Sequence, residues 1–271
     1  MEISKDTVLC ISVASRPSNF GTTVHNAAYR FLGLDFLYKA FRISEIKGAI
    51  SGVRALGIRG CSVSMPFKEE IIPELDSFDE AAKSIGAVNA VVNDNGRLTG
   101  CNTDAYGAEV ALKLLPMTKD DKVLLLGAGG AAKAILYSLR RAGINRVVIA
   151  NRTDSKSKHL AASSCESIPW NSRHETGAAV IINATSIGMS PHTDQLPLDL
   201  KKAQGCCAVM DLVMSPMESL LIRTAKDMGL CAVPGYKMSL HQAAAQFRLY
   251  TGVNAPLEVM ERSIIRLLQA S

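Results

Sequence analysis

Two clusters of residues in this sequence have types and spacings suited to chemistry. The first is Gly127-Ala128-Gly129-Gly130-Ala131-Ala132-Lys133, which follows the apolar run Val123-Leu124-Leu125-Leu126 and leads into a helix-forming stretch. Gly127, Gly129 and Ala132 fit G-x-G-x-x-G/A: the first makes a tight turn, the second lets a pyrophosphate approach, and the third packs helix on strand. The free N–H groups and dipole at that helix start would hold the phosphates. About 20 residues on, where such folds select their ribose, the chain carries Asn151-Arg152-Thr153 in place of an acid, with Lys156 a turn later. Arg152 can lie against an adenine while its guanidinium meets a 2′-phosphate, and Thr153 can donate to the same group. NADP is therefore expected ahead of NAD; Asp154 next door pulls the other way and keeps NAD open.

The second cluster comes from two loops. Ser62-Val63-Ser64-Met65-Pro66-Phe67-Lys68 presents two hydroxyls and an ammonium, and Asn102-Thr103-Asp104 supplies a carboxylate. Taken singly, Lys68 or Asp104 reads as a solvated surface charge. Together, facing a nicotinamide, they make a proton-transfer pair for carbinol oxidation, the amine handling the hydroxyl proton while the carboxylate orients it.

Elements must position these groups. Residues 7–13 are apolar and strand-like, 24–32 read as a helix, 36–41 alternate like a strand, 45–56 are helical and 58–63 strand-like. This βαβαβ rhythm implies parallel strands with helical crossovers. Residues 87–92 and 97–100 flank Asp94-Asn95-Gly96, which predicts a β-hairpin. A helix at 104–115 and a polar break at 116–121 precede the glycine-rich turn, after which strands at 146–150, 178–183, 207–213 and 231–233 alternate with helices near 156–162 and 217–228. That is a doubly wound Rossmann-like sheet, and two helices, 238–250 and 257–268, close the chain.

With 271 residues, 48% of them hydrophobic and 20% charged, the chain suits one large or two modest domains. No stretch approaches the roughly 18 apolar residues of a membrane span, and no export signal is evident, so a cytoplasmic location is expected. The seven cysteines (Cys10, Cys61, Cys101, Cys165, Cys206, Cys207, Cys231) lie mostly in apolar runs without a C-x-x-C pair; they read as reduced core residues, with no disulfide framework and no metal site. The net charge of +5 is dispersed, which suits small anionic ligands rather than nucleic acid.

The residues resemble the shikimate and quinate dehydrogenase family over almost the whole chain. The marks are Ser64-Met65-Pro66-Phe67-Lys68, Gly86-Ala87-Val88-Asn89, Gly100-Cys101-Asn102-Thr103-Asp104, the glycine-rich turn, Asn151-Arg152-Thr153, Asn183-Ala184-Thr185-Ser186-Ile187-Gly188-Met189, Asp211 with Pro216, and Gly235-Tyr236-Lys237-Met238 leading to Gln242. The resemblance implies an α/β fold with a substrate domain at 1–103, an inserted NADP-binding Rossmann domain at 104–236 and C-terminal helices at 237–271 completing the substrate domain, with the site in the cleft. It implies Lys68 and Asp104 as the catalytic pair, Ser62, Ser64, Asn89 and Gln242 at the substrate, and Gly127, Gly129, Gly130 and Ala131 at the pyrophosphate. Asn151, Arg152, Thr153 and Lys156 would hold the adenosine end, and Thr185, Ser186, Met189, Gly235 and Met238 would border the nicotinamide. His25 and His241 read as packing or hydrogen-bonding groups, and Trp170 as a core or inter-domain aromatic.

Two departures stand out. Family members carry a serine pair ahead of a His-Asn to bind the substrate carboxylate; counting back from His25-Asn26 puts Asn19 and Gly21 in those positions, and Met214 replaces an expected Tyr. An unmade bond to a carboxylate costs about 1.5–3 kcal/mol. The departures point to the shikimate dehydrogenase-like branch with a small polyhydroxy acid as ligand, and shikimate as a weak or secondary substrate. Quinate or an aminoshikimate-type compound, and a non-catalytic NADP-binding module, are the competing readings. A monomer or homodimer is expected.

Overall fold

In the computed structural model, residues 2–162 and 164–269 are described. They form two compact units: one holds the chain up to Gly107 together with Leu240–Leu267, and the other holds Ala108–Ser239.

The first unit contains β1 (Val8–Ala14), α1 (Phe20–Leu32), β2 (Phe36–Arg42), α2 (Ile46–Ala55), β3 (Gly60–Val63), β4 (Ser77–Phe78), α3 (Glu80–Ile85), β5 (Ala90–Asp94) and β6 (Arg97–Cys101). Helix α4 (Thr103–Leu112) then carries the chain into the second unit. The sheet runs β2-β1-β3-β5-β6-β4. β2 and β3 flank β1 in parallel, as the βαβαβ rhythm requires, whereas β5 runs antiparallel to β3 and to β6. The β5–β6 hairpin closes on Asn95 (φ 53°) and Gly96 (φ 90°), and the left-handed conformation at both positions is what makes Asn-Gly the residue pair for this turn. At the sheet edge, the Asn26 side chain accepts from the Tyr38 backbone N–H (2.8 Å) and donates to its carbonyl (2.9 Å), so the outward backbone groups of β2 at Tyr38 are satisfied by α1.

The second unit contains β7 (Val123–Leu126), α5 (Gly130–Arg141), β8 (Val147–Ala150), α6 (Asp154–Ala161), β9 (Glu166–Ile168), β10 (Val180–Asn183), β11 (Ala208–Asp211), α7 (Leu220–Asp227) and β12 (Cys231–Pro234). All pairs are parallel, in the order β12-β11-β10-β7-β8-β9. The unbroken apolar run of β7 has a physical reason: Val123 and Leu125 enter one core with Ile135 and Leu139 of α5, while Leu124 and Leu126 enter another with Leu221 and Ala225 of α7. A parallel strand covered on both faces has no solvent side to make polar. α8 (Gly235–Thr251) returns the chain to the first unit, and α9 (Leu257–Gln269) follows.

Several expectations shift. α7 starts at Leu220 because Ser219 caps it, accepting from Ile222 N (3.2 Å); α6 starts at Asp154, and β4, α3 and β9 were not expected. The expected core placement fits Cys10, Cys61 and Cys101, but Cys165, Cys206 and Cys231 are half-buried and Cys207 is exposed, since β11 begins only at Ala208. Trp170 is half-buried against the second core, with the Arg173 guanidinium 4.4 Å from its ring centre. Among the described residues no helix is long and apolar enough to cross a membrane.

Candidate active site

The strand order of the first unit brings one set of chain ends to one sheet edge. β1, β2, β3 and β6 end there, and antiparallel β5 begins there, so Ser62, Ser64, Asn89 and Asp104 all fall beyond the carboxyl edge where α/β sheets bind ligands. A cleft of about 180 Å³ opens at that edge, lined by Gly21, Ser62, Ser64, Lys68, Asn89, Asp104 and Gln242 among others. Asn19 does not line it. Its backbone is already helical (φ −80°, ψ 0°), its carbonyl accepts from Thr23 N at 2.9 Å, and its side chain is exposed at the start of α1.

Lys68 Nζ donates to Asp104 Oδ2 at 2.5 Å, and Asn89 Nδ2 donates to Asp104 Oδ1 at 2.8 Å. Asn89 is itself fixed, because its Oδ1 accepts from the backbone N–H (2.7 Å) and hydroxyl (3.1 Å) of Thr103. Gln242 Nε2 reaches the same Thr103 hydroxyl at 3.3 Å. The pair is mostly buried, with side-chain exposures of 22% for Lys68 and 15% for Asp104. An ammonium and a carboxylate held in register at a cleft, each oxygen with a donor, form a unit able to move one proton at a bound hydroxyl.

A second polar network lies beside it and was not foreseen. Gln246 Nε2 donates to the Asn89 carbonyl at 3.1 Å, which turns Gln246 Oε1 toward Ser62. Ser62 Oγ gives its one proton to that oxygen (2.8 Å) and accepts from the Tyr38 hydroxyl (2.7 Å) and the Tyr250 hydroxyl (3.2 Å). Ser62 is thereby fully committed within the protein, and Tyr38 offers the cleft only lone pairs. His25 stacks on Tyr38 with ring centres 4.5 Å apart and planes at 6°, and burial pushes its ring pKa down to about 3 against a raising hydrogen bond with Gln246. Gln246 was legible in one respect: it follows Gln242 by four residues and shares its helix face.

In the second unit, the β7–α5 turn fits a dinucleotide. Gly127 is buried at φ +107°, and a Cβ there would lie 2.8 Å from the Ala184 carbonyl oxygen. Gly129 and Gly130 are exposed, and a Cβ on either would meet nothing within 4 Å, so the space that side chains would occupy is left open. No side chain caps α5, whose first N–H groups face this space, and Ala132 is fully buried against the strand. Ala131 is half-buried beside the glycines. At the end of β8, Arg152, Thr153 and Lys156 are exposed, while Asn151 Nδ2 donates to the Thr153 carbonyl at 2.9 Å. The residues present therefore fit a 2′-phosphorylated dinucleotide.

Two buried side chains hold the remaining loops of this unit. Asn183 Oδ1 accepts from Thr185 N (3.1 Å) and Thr185 Oγ1 (2.7 Å), and its Nδ2 donates to Asp211 Oδ1 (2.9 Å). Asp211 also accepts from Val213 N and from the Ser219 hydroxyl, and burial raises its carboxyl pKa against those bonds. Ser186 and Met189 are exposed on the loop so anchored. A Cβ on Gly235 would lie 2.8 Å from the Asp211 carbonyl oxygen, and Met238 is 7% exposed within the core.

A parallel Rossmann unit with an open glycine turn, joined to an α/β unit bearing a Lys–Asp cleft, defines the two-unit α/β dehydrogenases as a class. Three family profiles match: the shikimate dehydrogenase substrate binding domain at residues 20–91, shikimate/quinate 5-dehydrogenase at 109–188, and the shikimate 5′-dehydrogenase C-terminal domain at 235–265. A shikimate dehydrogenase-like protein of Haemophilus influenzae is 42% identical over 251 residues, 92% of each chain. A shikimate dehydrogenase (NADP(+)) of Pyrococcus furiosus is 39% identical over 252 residues, 91% of this chain and 90% of its own. The structure of shikimate 5-dehydrogenase from Thermus thermophilus in complex with NADP(H) and shikimate superposes with a TM-score of 0.86 at 32% identity, covering 95% of this chain and 98% of that one. The chain belongs to the shikimate dehydrogenase family.

Proposed function

We propose that this protein is an NADP-dependent oxidoreductase that interconverts shikimate, or a closely related cyclic polyhydroxy acid, and its 3-dehydro form. The observation that carries the reading is the Lys68–Asp104–Asn89 unit at the cleft. When bound, the nicotinamide supplies the hydride acceptor for the carbinol carbon. Lys68 as the amine takes the carbinol proton on oxidation, becoming the ammonium, and as the ammonium gives it back on reduction, while Asp104, pinned by Asn89, holds the Lys68 nitrogen in place in both directions. A carboxylate held at both oxygens cannot swing to another partner, so the geometry survives the change of charge at the reacting oxygen.

Lys68→Ala removes the proton carrier and leaves the hydroxyl-binding groups. The expected result is a fall in kcat of at least about 100-fold with little change in substrate KM, measured by steady-state NADPH absorbance. Near-normal turnover in this variant would overturn the mechanism. A second reading keeps the chemistry and exchanges the substrate for quinate or an amino analogue, with NAD as cofactor; the family profile that covers both acids supports it. Kinetics on shikimate and quinate, each with NADP and NAD, separates the two. A non-catalytic module has no use for a Lys68–Asp104 pair at 2.5 Å.

A further inference from the structure

The cleft holds three charged residues, and only two of them are a pair. Lys68 is balanced by Asp104, whereas Arg16, in the loop after β1, is exposed, lines the cleft and has no acidic partner among the described residues. The surface around Arg16 is short of negative charge in other ways. Helix α1 begins with no side-chain cap and no acid in its first turn, and Phe20 and Gly21 of that turn line the cleft. Its unsatisfied N–H groups carry the positive end of a 13-residue helix. Ser18, also in the lining, accepts from Phe20 N at 3.3 Å and keeps its own proton to donate. His25, on the same helix and in the same lining, is 1% exposed and leaves Nδ1 with no partner.

We propose that Arg16, with the start of α1 and the Ser18 hydroxyl, binds the substrate carboxylate, and that Tyr38 directs which end of the substrate goes there. The assignment rests on the reading of the substrate as a cyclic polyhydroxy acid. A Cβ on Gly21 would lie 2.7 Å from Tyr38 Cε1 and 2.9 Å from its hydroxyl, so the Tyr38 ring takes the space that a side chain at position 21 would need. The Tyr38 hydroxyl has given its proton to Ser62 and presents lone pairs, which repel a carboxylate and accept from a substrate hydroxyl. The anion is thus turned away from Tyr38 and toward Arg16, the cation in the cleft lining without an acidic partner among the described residues. In the sheet, β1 precedes Arg16, β3 precedes Lys68 and β6 precedes Asp104. One strand spacing, about 5 Å, therefore separates the strand before Arg16 from the strand before Lys68, and three, about 14 Å, separate it from the strand before Asp104, so the anion end and the proton-transfer end leave from different strands of one sheet edge.

The test is calorimetric titration of the NADP⁺-loaded protein with shikimate and with its methyl ester, in the unsubstituted chain, Arg16→Ala and Arg16→Lys, with turnover measured beside it. Arg16→Ala is expected to weaken shikimate at least about 10-fold and the ester less than about twofold, as for a lost charged hydrogen bond, with Arg16→Lys between. Equal losses for acid and ester, or an Arg16→Ala affinity equal to that of the unsubstituted chain, overturn the assignment, as does failure of the unsubstituted chain to bind the acid. Should Arg16→Ala not fold, the acid-to-ester ratio of Arg16→Lys decides in the same way. Arg16-dependent binding of the acid without turnover would instead remove the oxidoreductase reading and leave the anion site standing.

Discussion

His25 shows what a single buried side chain costs this fold and what it reports. Its ring is 1% exposed, stacked on Tyr38, and held neutral by burial at a pKa of about 3. In the unfolded chain the same ring titrates near its ordinary value of about 6.5. Between these two values the unfolded state binds a proton that the folded state refuses, so νU exceeds νN and stability rises with pH across the window. Acidification from about pH 6.5 toward pH 3 should therefore lower the unfolding free energy, with His25 contributing up to about 1.4 kcal/mol per pH unit. Asp211, whose carboxyl pKa is raised by burial, contributes in the opposite sense and is common to both proteins in a comparison. Urea unfolding at pH 7 and pH 5 of the unsubstituted chain and of His25→Phe isolates the term: the pH-dependent loss should be smaller in the variant, and an equal loss in both would show that His25 titrates normally.

At the scale of elements, the β7–α5 turn makes two glycines do opposite things within three residues. Gly127 sits at φ +107° against the Ala184 carbonyl, so Gly127→Ala strains the backbone and drives a Cβ into a backbone atom, with an expected stability loss of about 1–3 kcal/mol. Gly129 has an ordinary extended backbone and open space around its missing Cβ. Gly129→Val should leave the thermal midpoint within about 2 °C while raising the KM for NADP at least about 10-fold, because the methyls occupy the phosphate approach rather than the core. A Gly129→Val protein with unchanged KM for NADP would mean that the phosphates lie elsewhere. This turn was legible because its determinants are local: an apolar run, two glycines and a small residue fix strand, turn and helix within ten positions. The Lys68–Asp104 pair was legible as residue types, and its contact needed the sheet order. Arg16, Tyr38, Gln246 and Tyr250 were missed for a physical reason. Tyr38 and Tyr250 meet at Ser62 across sequence separations of 24 and 188 residues, and no local pattern marks which hydroxyl will face which. The same lack of local signal hid the full commitment of Ser62 and the withdrawal of Asn19 into the start of α1.

At the scale of the molecule, the groups assigned to the substrate and those assigned to the cofactor belong to different units with separate cores. Gly21, Ser64, Lys68, Asn89, Asp104 and Gln242 lie in the first, and Gly127, Gly129, Arg152 and Thr185 in the second. Each ligand then stabilises the unit that binds it, by RT ln(1 + [L]/Kd), about 2.7 kcal/mol at 100 times Kd. Amide hydrogen exchange followed by mass spectrometry reads this directly. NADP⁺ alone should slow exchange in peptides covering 123–133 and 151–156 and leave those covering 12–25 and 60–68 unchanged, while shikimate alone should do the reverse. Protection of residues 123–133 by shikimate without cofactor would contradict the division of labour, because no group assigned to the substrate lies there. Protection of 12–25 by shikimate that vanishes in Arg16→Ala but persists in Lys68→Ala would tie the anion-binding and proton-transfer ends to separate residues within one unit, since losing the proton carrier removes turnover and leaves the carboxylate contact intact.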